Sequence, residues 1–130
     1  MLLGNSALIA NRFAIDKVAG SGGMAVVYRA TDRLSGQPVA VKVLKPEHQR
    51  SAARFTREAE LLAKLQHPNI VSYIAHGTTA SGQSYLVMEW LDGEDLGQRL
   101  AAGVLTLRES LTCLQAVAAA LEVAHSQGVV

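Results

Sequence analysis

A glycine-rich run and one lysine in an apolar segment are the residues of this chain whose types and spacing suggest chemistry. Gly20, Gly22 and Gly23 surround Ser21 just before a run of β-forming residues. Glycine has no Cβ, so its backbone N–H groups can approach a phosphate closely. Lys42 lies in the apolar run 39–44, where an ammonium group is costly to bury unless an anion pairs with it. Both features indicate a site for phosphate groups.

The same glycine pattern, which ends at Ala25, also fits the fingerprint of a dinucleotide-binding fold. That fold requires a helix directly after the glycines and an acidic residue about 20 residues later. Residues 25–28 are instead strand formers, and residues 41–46 contain no carboxylate. The sequence therefore favours a glycine-rich turn between two strands, and a hairpin with a purely structural role is the other alternative.

Composition limits the possible class of protein. The 130 residues are 49% hydrophobic and 18% charged, which indicates one folded domain rather than disorder. The net charge of +1 gives no electrostatic basis for binding nucleic acid. Cys113 is the only cysteine, so no internal disulfide can form. The sequence has no signal-peptide pattern and no apolar stretch long enough to span a membrane, so we expect a cytoplasmic protein.

Hydrophobic periodicity predicts an α+β fold. A helix is expected over residues 51–65, a hairpin loop over residues 77–83 and a short helix over residues 94–103. Thr106 and Glu109 have the spacing of a capping box, which predicts the start of a long helix that ends before Gly128. Five strands are predicted, over residues 12–19, 26–31, 39–44, 70–74 and 84–90.

Five sequence blocks occur in the order and spacing of one known family. On these blocks the chain resembles the N-terminal lobe of bacterial Hanks-type serine/threonine protein kinases, over residues 11–130. The resemblance implies a five-stranded antiparallel sheet with one helix, called helix C in that family, followed by the first helices of a second lobe. It also implies an N-terminal extension, an ATP-binding lobe and an incomplete second lobe, over residues 1–11, 12–91 and 92–130. The blocks are residues 20–27, 39–42, 55–65, 67–71 and 85–91.

The resemblance implies ATP as cofactor, with Mg²⁺ bound by the second lobe. Val27 and Ala40 would cover adenine, and Met88 corresponds to the residue at the back of the pocket. Leu91 and the carbonyl of Glu89 would bind the edge of adenine. Asp95 would approach the ribose. The full set of positions that match nucleotide-binding residues is Ala19, Gly20, Ser21, Gly22, Gly23, Met24, Ala25, Val26, Val27, Ala40, Lys42, Met88, Glu89, Leu91 and Asp95.

In this family a glutamate of the following helix pairs with the strand lysine. Glu58 lies three residues after Phe55 and so shares the inward-facing stripe of the predicted helix, whereas Glu60 belongs to its charged face. We therefore expect an ion pair between Lys42 and Glu58 that supports catalysis, with a solvated Glu58 as the alternative.

Two positions depart from the family pattern. Ala25 stands at the third glycine of the turn, where the family tolerates substitution. Ala19 stands where a larger aliphatic side chain is usual. A smaller side chain there leaves a thinner cover over adenine, so we expect a weakened affinity for the nucleotide.

The chain contains none of the family's catalytic-loop or metal-binding motifs, so no catalytic residue and no metal ligand is assigned in it. The resemblance implies the ATP-binding portion of a kinase that transfers the γ-phosphate of ATP to serine or threonine of a protein substrate, once it is completed by residues outside this chain. We expect that the sequence continues beyond Val130 and that the apolar face of the last helix is exposed. The alternative is a stand-alone nucleotide-binding or kinase-docking module without transferase activity.

Overall fold

The computed structural model describes residues 3–4 and 7–130. Met1, Leu2, Asn5 and Ser6, which belong to the predicted N-terminal extension, lie outside the described residues. The described residues form a six-stranded antiparallel sheet with the strand order β1-β2-β3-β4-β6-β5. The strands are β1 (Leu8–Ile9), β2 (Phe13–Ser21), β3 (Ala25–Asp32), β4 (Pro38–Leu44), β5 (Tyr73–Thr78) and β6 (Ser84–Glu89).

Helices interrupt and follow the sheet, as the sequence predicts for an α+β fold. The connection from β4 to β5 contains a 3₁₀ helix (Pro46–Ser51) and helix α1 (Ala52–Ala63). Helix α2 (Leu96–Ala101) and helix α3 (Leu107–Ser126) follow β6. Thr106 accepts a hydrogen bond from the Glu109 backbone N–H, and the Glu109 side chain accepts one from Thr106, so the predicted capping box is confirmed.

The sheet has one strand more than the five expected. Strand β1 lies within the predicted N-terminal extension and pairs with the start of β2. Ile9 is buried against the sheet core, while Ala10 and Asn11 adopt positive φ angles of 55° and 52° in the turn that follows. A two-residue strand has too few alternations to produce a periodic signal in the sequence.

Strand β5 begins at Tyr73, three residues later than the predicted strand 70–74. The segment before it forms a turn instead, in which the Ile70 N–H donates to the His67 carbonyl at 3.1 Å. The His67 side chain also accepts the Asn69 N–H at 3.0 Å. These local bonds use the backbone groups that a strand would need for its ladder, so pairing starts only after the turn. The loop to β6 is correspondingly shorter than residues 77–83.

The main core lies on the face of the sheet that is opposite to helix α1. Residues that alternate along the strands are buried there, since successive side chains of a strand point to opposite faces. Leu3, Ala7, Ile74 and Ala75 pack around this cluster. Its buried members are Ile9, Phe13, Ile15, Val26, Tyr28, Ala30, Val39, Val41, Val43, Tyr85 and Val87.

Helix α1 covers the other face through a smaller cluster. Phe55 and Ala59 of the helix pack against Leu44 of β4 and Leu86 of β6. Leu62, which lies seven residues after Phe55, extends the same helix face as a partly buried residue. This contact fixes α1 beside the part of β4 that contains Lys42.

An ion pair joins the start of β2 to the end of β3. The Arg12 guanidinium donates from Nε and from one terminal nitrogen to the two carboxylate oxygens of Asp32, each at 2.9 Å. Asp32 is only 3% exposed. The hydrogen bond from Arg12, together with that from the Leu34 backbone N–H, lowers the pKa of Asp32 from its ordinary 3.8 to about 2.

The two C-terminal helices have few contacts with the sheet. Neither α2 nor α3 contains a buried residue among the described part of the chain. A hydrogen bond of 3.2 Å from the Asn69 side chain to the Ala116 carbonyl links α3 to the turn before β5. The expected exposure of the apolar face of α3 is confirmed, because at least half of each large side chain on that face is accessible: Leu107, Leu111, Leu114 and Leu121.

Replacing Asp32 with asparagine should destabilise the fold in a pH-dependent manner. Because the pKa of folded Asp32 lies below its ordinary value of 3.8, at about 2, the ionised carboxylate stabilises the fold above pH 3.8. That stabilisation is lost as the pH falls through about 2. We expect Asp32→Asn to reduce the free energy of unfolding in urea by about 1–3 kcal/mol at pH 7. The exposed Glu60→Gln is the control, and a difference that stays constant from pH 7 to pH 2 would contradict the assignment.

The apolar face of α3 should make the isolated 130-residue chain self-associate. We expect Leu114→Glu with Leu121→Glu to shift the chain towards the monomer in size-exclusion chromatography with light scattering, without changing the unfolding midpoint. Gln115→Glu adds a charge on the same helix outside this face and should have no effect. A wild-type chain that is monomeric and does not bind an apolar dye would refute this prediction.

Candidate functional site

The glycine-rich run forms the turn between β2 and β3, as predicted. Gly20 and Ser21 pair with Val27 and Val26 at the ends of the two strands. The Gly22 N–H donates to the Ala25 carbonyl at 2.9 Å and closes the turn. A hairpin that ends in consecutive glycines exposes backbone N–H groups without side chains above them.

Neither backbone conformation nor steric crowding explains why glycine occupies these positions of the turn. Gly20, Gly22 and Gly23 do not adopt positive φ angles. A Cβ added at Gly20 or Gly23 would meet nothing within 4 Å, and one at Gly22 would lie 3.8 Å from a carbonyl oxygen. At Gly77, in contrast, a Cβ would lie 2.9 Å from the Tyr85 hydroxyl oxygen. Open space above the turn glycines is the arrangement that a close-approaching ligand needs.

Strand register brings the predicted site residues to one face of the sheet. Val27 of β3 pairs with Lys42 of β4, and Lys42 pairs with Leu86 of β6. Two residues earlier in β4, Ala40 pairs with Met88 of β6. Because side chains two residues apart share a face, Val27, Ala40, Lys42 and Met88 all lie on the face that helix α1 covers. The structure thus brings the predicted adenine-covering residues together with the lysine.

Lys42 borders a cleft between the sheet and helix α1. The cleft has a volume of about 120 Å³. The Lys42 ammonium lies 5.8 Å from the centre of the Phe55 ring, within the range of a cation–π interaction. The residues that line the cleft are Met24, Ala25, Lys42, Leu44, Ser51, Arg54, Phe55 and Glu58.

Glu58 lines this cleft together with Lys42 but pairs with another residue. Its carboxylate lies 3.4 Å from Nε of Arg54, one helical turn earlier. Within the described part of the chain, no ion pair joins Glu58 to Lys42. The side chains of Arg54 and Glu58 are 81% and 59% exposed, so their pair contributes only a few tenths of a kcal/mol, about 0.3–0.5. The expected pair of Lys42 with Glu58 therefore stays a prediction, and Arg54 is a weak competitor for it.

The residues predicted to bind the edge of adenine and the ribose lie at the end of β6 and in the segment after it. The Glu89 carboxylate accepts the Ser72 N–H at 2.9 Å, so its side chain is bound to the neighbouring segment. Leu91 is exposed and begins a shallow cleft of about 250 Å³ that extends to Asp95. One Asp95 oxygen accepts the Gln98 N–H at 2.7 Å and caps helix α2. The capping role of Asp95 was not predicted, although the Asp-x-x-Gln spacing indicates it.

An arginine on β3 adds a contact that the sequence did not predict. Arg29 of β3 pairs with Ala40 of β4 in the sheet. Its guanidinium donates to Asp16 at 2.7 Å and lies 5.6 Å from the centre of the Trp90 ring. Trp90 in turn donates from its indole nitrogen to Asp92 at 3.0 Å. These contacts connect the segment after β6 to β2 and β3.

Lys45, directly after β4, contacts the glycine turn and was also not predicted. Its ammonium donates to the Gly22 carbonyl at 2.7 Å, and its backbone N–H donates to the Met24 carbonyl at 2.8 Å. The sequence contained a signal for its side, because side chains alternate between the two faces of a strand and a residue three positions after Lys42 is expected on the opposite face.

Metal-ligand clusters and membrane-spanning helices are both missing from the described residues. In them, no group of three or more histidine, cysteine, aspartate or glutamate side chains is placed to hold a metal ion. No helix in the described ranges has the length and apolar character needed to cross a membrane.

Three comparisons place these features among known proteins. The protein kinase domain model matches residues 13–130. The probable serine/threonine-protein kinase PknB of Lactococcus lactis is 38% identical over 128 residues, which cover 95% of this chain and 20% of that protein. The crystal structure of the Mycobacterium tuberculosis PknI kinase domain has a TM-score of 0.84 and 32% identity, and the match covers 98% of this chain and 53% of that one. The crystal structure of Rad53 1–466 in complex with AMP-PNP has a TM-score of 0.78 and 34% identity, over 90% of this chain and 31% of that one.

Alanine substitutions should distinguish the glycines of the turn from Gly77, where the neighbouring Tyr85 leaves no room for a side chain. Because Gly22 and Gly23 have room for a Cβ and no positive φ, the double change to alanine should leave the free energy of unfolding unchanged or raise it by up to about 1 kcal/mol. Gly77→Ala should lower it by about 1–3 kcal/mol, since the Cβ would overlap the Tyr85 ring. Urea unfolding of the three chains measures both effects. Equal destabilisation at the two places would mean that the turn glycines are required by the fold rather than by a ligand.

Proposed function

This chain belongs to the protein kinase domain family, and we propose that it is the ATP-binding portion of a serine/threonine protein kinase. The observation that carries the proposal is the row of open glycines beside Lys42. The glycines leave space above backbone N–H groups, and the nearby lysine supplies a positive charge on the same side of the turn. The chain spans 20% of its Lactococcus relative and 53% of the PknI kinase domain, so the activity of the whole protein is part of the proposal.

In the proposed complex the nucleotide lies along the face of the sheet that contains Lys42. Its phosphates accept hydrogen bonds from the N–H groups of the glycine turn and contact the Lys42 ammonium. Adenine packs against Val27 and Ala40, which are diagonal neighbours on one face of the sheet, since Val27 pairs with Lys42 two residues further along β4. The edge of adenine contacts backbone groups of Glu89 and Leu91, which is compatible with a Glu89 side chain already bound to Ser72. The similarity to Rad53, whose crystal structure is a complex with AMP-PNP, supports the choice of an adenine nucleotide as ligand.

The division of labour follows from the residues that are present. Bound ATP supplies the phosphoryl group that is transferred to serine or threonine of a protein, with Mg²⁺ offsetting the charge of its phosphates. Residues 12–91 bind and orient the nucleotide, and residues 92–130 start the second lobe. In the proposal the magnesium ion is held by the phosphates and by residues of the second lobe. Among the described residues, no group of three or more histidine, cysteine, aspartate or glutamate side chains is placed to hold a metal ion.

Glu58 has a positioning role in the proposal. Its weak pair with Arg54 is exposed, and both Glu58 and Lys42 line the same cleft. In the proposed complex Glu58 leaves Arg54 and pairs with Lys42 across this cleft. The carboxylate then restricts the flexible lysine to the orientation that meets the phosphates.

Loss of Lys42 should weaken nucleotide binding more than loss of the Glu58 charge. In a titration with a fluorescent ATP analogue, we expect Lys42→Ala to raise Kd by about tenfold or more, because a charge-assisted contact to phosphate is removed. Glu58→Gln should raise Kd by about two- to threefold, since it only positions the lysine. Lys64→Ala, an exposed lysine at the end of α1, is the matched control. An unchanged Kd after the loss of Lys42 would disprove the site.

A further inference from the structure

We infer that Lys45 is a positioning residue that orients a peptide group of the glycine turn, so that an N–H group faces the nucleotide phosphates. This inference rests on the proposed ATP-binding function. Lys45 follows the last residue of β4 and contacts the turn twice, through its ammonium to the Gly22 carbonyl and through its backbone N–H to the Met24 carbonyl.

The direction of these bonds follows from the parity of β4. Lys42 and Leu44 lie on the face that helix α1 covers. Lys45 lies on the opposite face, where it borders a cavity of about 250 Å³ together with Val26 and Val43. The Gly22 carbonyl therefore points away from the face that contains Lys42.

Peptide geometry converts the direction of a carbonyl into the direction of an N–H group. The peptide bond between Gly22 and Gly23 is planar and trans, so its carbonyl and its N–H point in opposite directions. With the carbonyl bound to Lys45, the Gly23 N–H points towards the face that contains Lys42. This is the face on which the proposed phosphates lie.

The bond matters because the hydrogen bond within the turn holds a different peptide: the Gly22 N–H, which donates to the Ala25 carbonyl, belongs to the peptide before the one that joins Gly22 to Gly23. A peptide between two glycines rotates with little steric cost, so without a partner it also samples the orientation in which the carbonyl faces the phosphates. That orientation places a negative dipole end against an anion. An ammonium donor gives a stronger bond than a neutral one and favours the productive orientation before the nucleotide binds.

The ammonium of Lys45 has an alternative partner that it does not use. Glu47 borders the same cavity. Within the described part of the chain, however, no ion pair joins Lys45 to Glu47 or to any other carboxylate. The ammonium instead makes the 2.7 Å contact with the Gly22 carbonyl. Lys45 is half-buried as a residue, and its bond to the Gly22 carbonyl lies at an exposed position beside the turn.

The test compares ATP with adenosine on the full 130-residue chain by isothermal titration calorimetry. Because Lys45 acts on a group that faces the phosphates, Lys45→Met should raise Kd for ATP about three- to tenfold and leave Kd for adenosine unchanged within about twofold. Lys45→Arg can still donate to the carbonyl and should keep Kd for ATP within about twofold of the wild type. Lys64→Met removes one exposed lysine outside the turn and is the matched control.

Hydrogen exchange of the nucleotide-free chain tests the orientation directly. Lys45→Met should increase amide exchange in residues 22–25 and leave the exchange of α1 unchanged. If the wild-type chain binds ATP and Lys45→Met binds it with the same Kd, the role of Lys45 is overturned, but the proposed ATP-binding function is not. Equal weakening for ATP and adenosine, or equal exchange of the turn in both chains, would overturn it as well. A wild-type chain that binds no ATP would overturn the proposed function, and the inference with it.

Discussion

The register between β3, β4 and β6 is the constraint on which the rest of the structure depends. It places Val41 and Val43 in the main core and leaves Lys42 on the face beside helix α1. A slip of one residue would bury the Lys42 ammonium among valines and expose the core face, because the side-chain period of a strand is two. The hydrophobic core therefore fixes the position of Lys42, the lysine proposed to contact the phosphates, although Lys42 is not a member of that core.

Regular patterns in the sequence predicted the parts of the fold that repeat or that use a defined local bond. The strand predicted from the apolar run around Lys42 and the capping box at Thr106 are both confirmed, since each is encoded within a few neighbouring residues. Strand β1 and the late start of β5 could not be predicted in the same way. The first has only two residues, and the second depends on hydrogen bonds of the His67 side chain that compete with the ladder.

At the candidate site, too, the sequence pattern predicted which residues come close together but not which contacts their side chains make. Motif spacing placed the glycines, Lys42 and Glu58 in one region, and the structure brings them to one cleft or to its edge. The pair of Glu58 with Arg54 is exposed and contributes only a fraction of a kcal/mol, about 0.3–0.5, and no sequence pattern reports which partner a carboxylate on a helix surface takes. Arg54 holds the carboxylate in this conformation.

Lys42 and Lys45 lie three residues apart, one in β4 and one directly after it, on opposite faces of the sheet. In the proposed complex Lys42 attracts the phosphates through its charge, because the nucleotide lies on the face of the sheet that contains this lysine. Lys45 lies on the other side, so its influence passes through the Gly22 carbonyl to the N–H at the far end of the same peptide. An odd spacing at the end of a strand is what makes these two roles possible, since an even spacing would put both ammonium groups on one face. The glycines leave room for a ligand to approach the backbone of the turn. In the proposed role, the hydrogen bond from Lys45 on the opposite face favours the peptide orientation in which an N–H group faces that ligand.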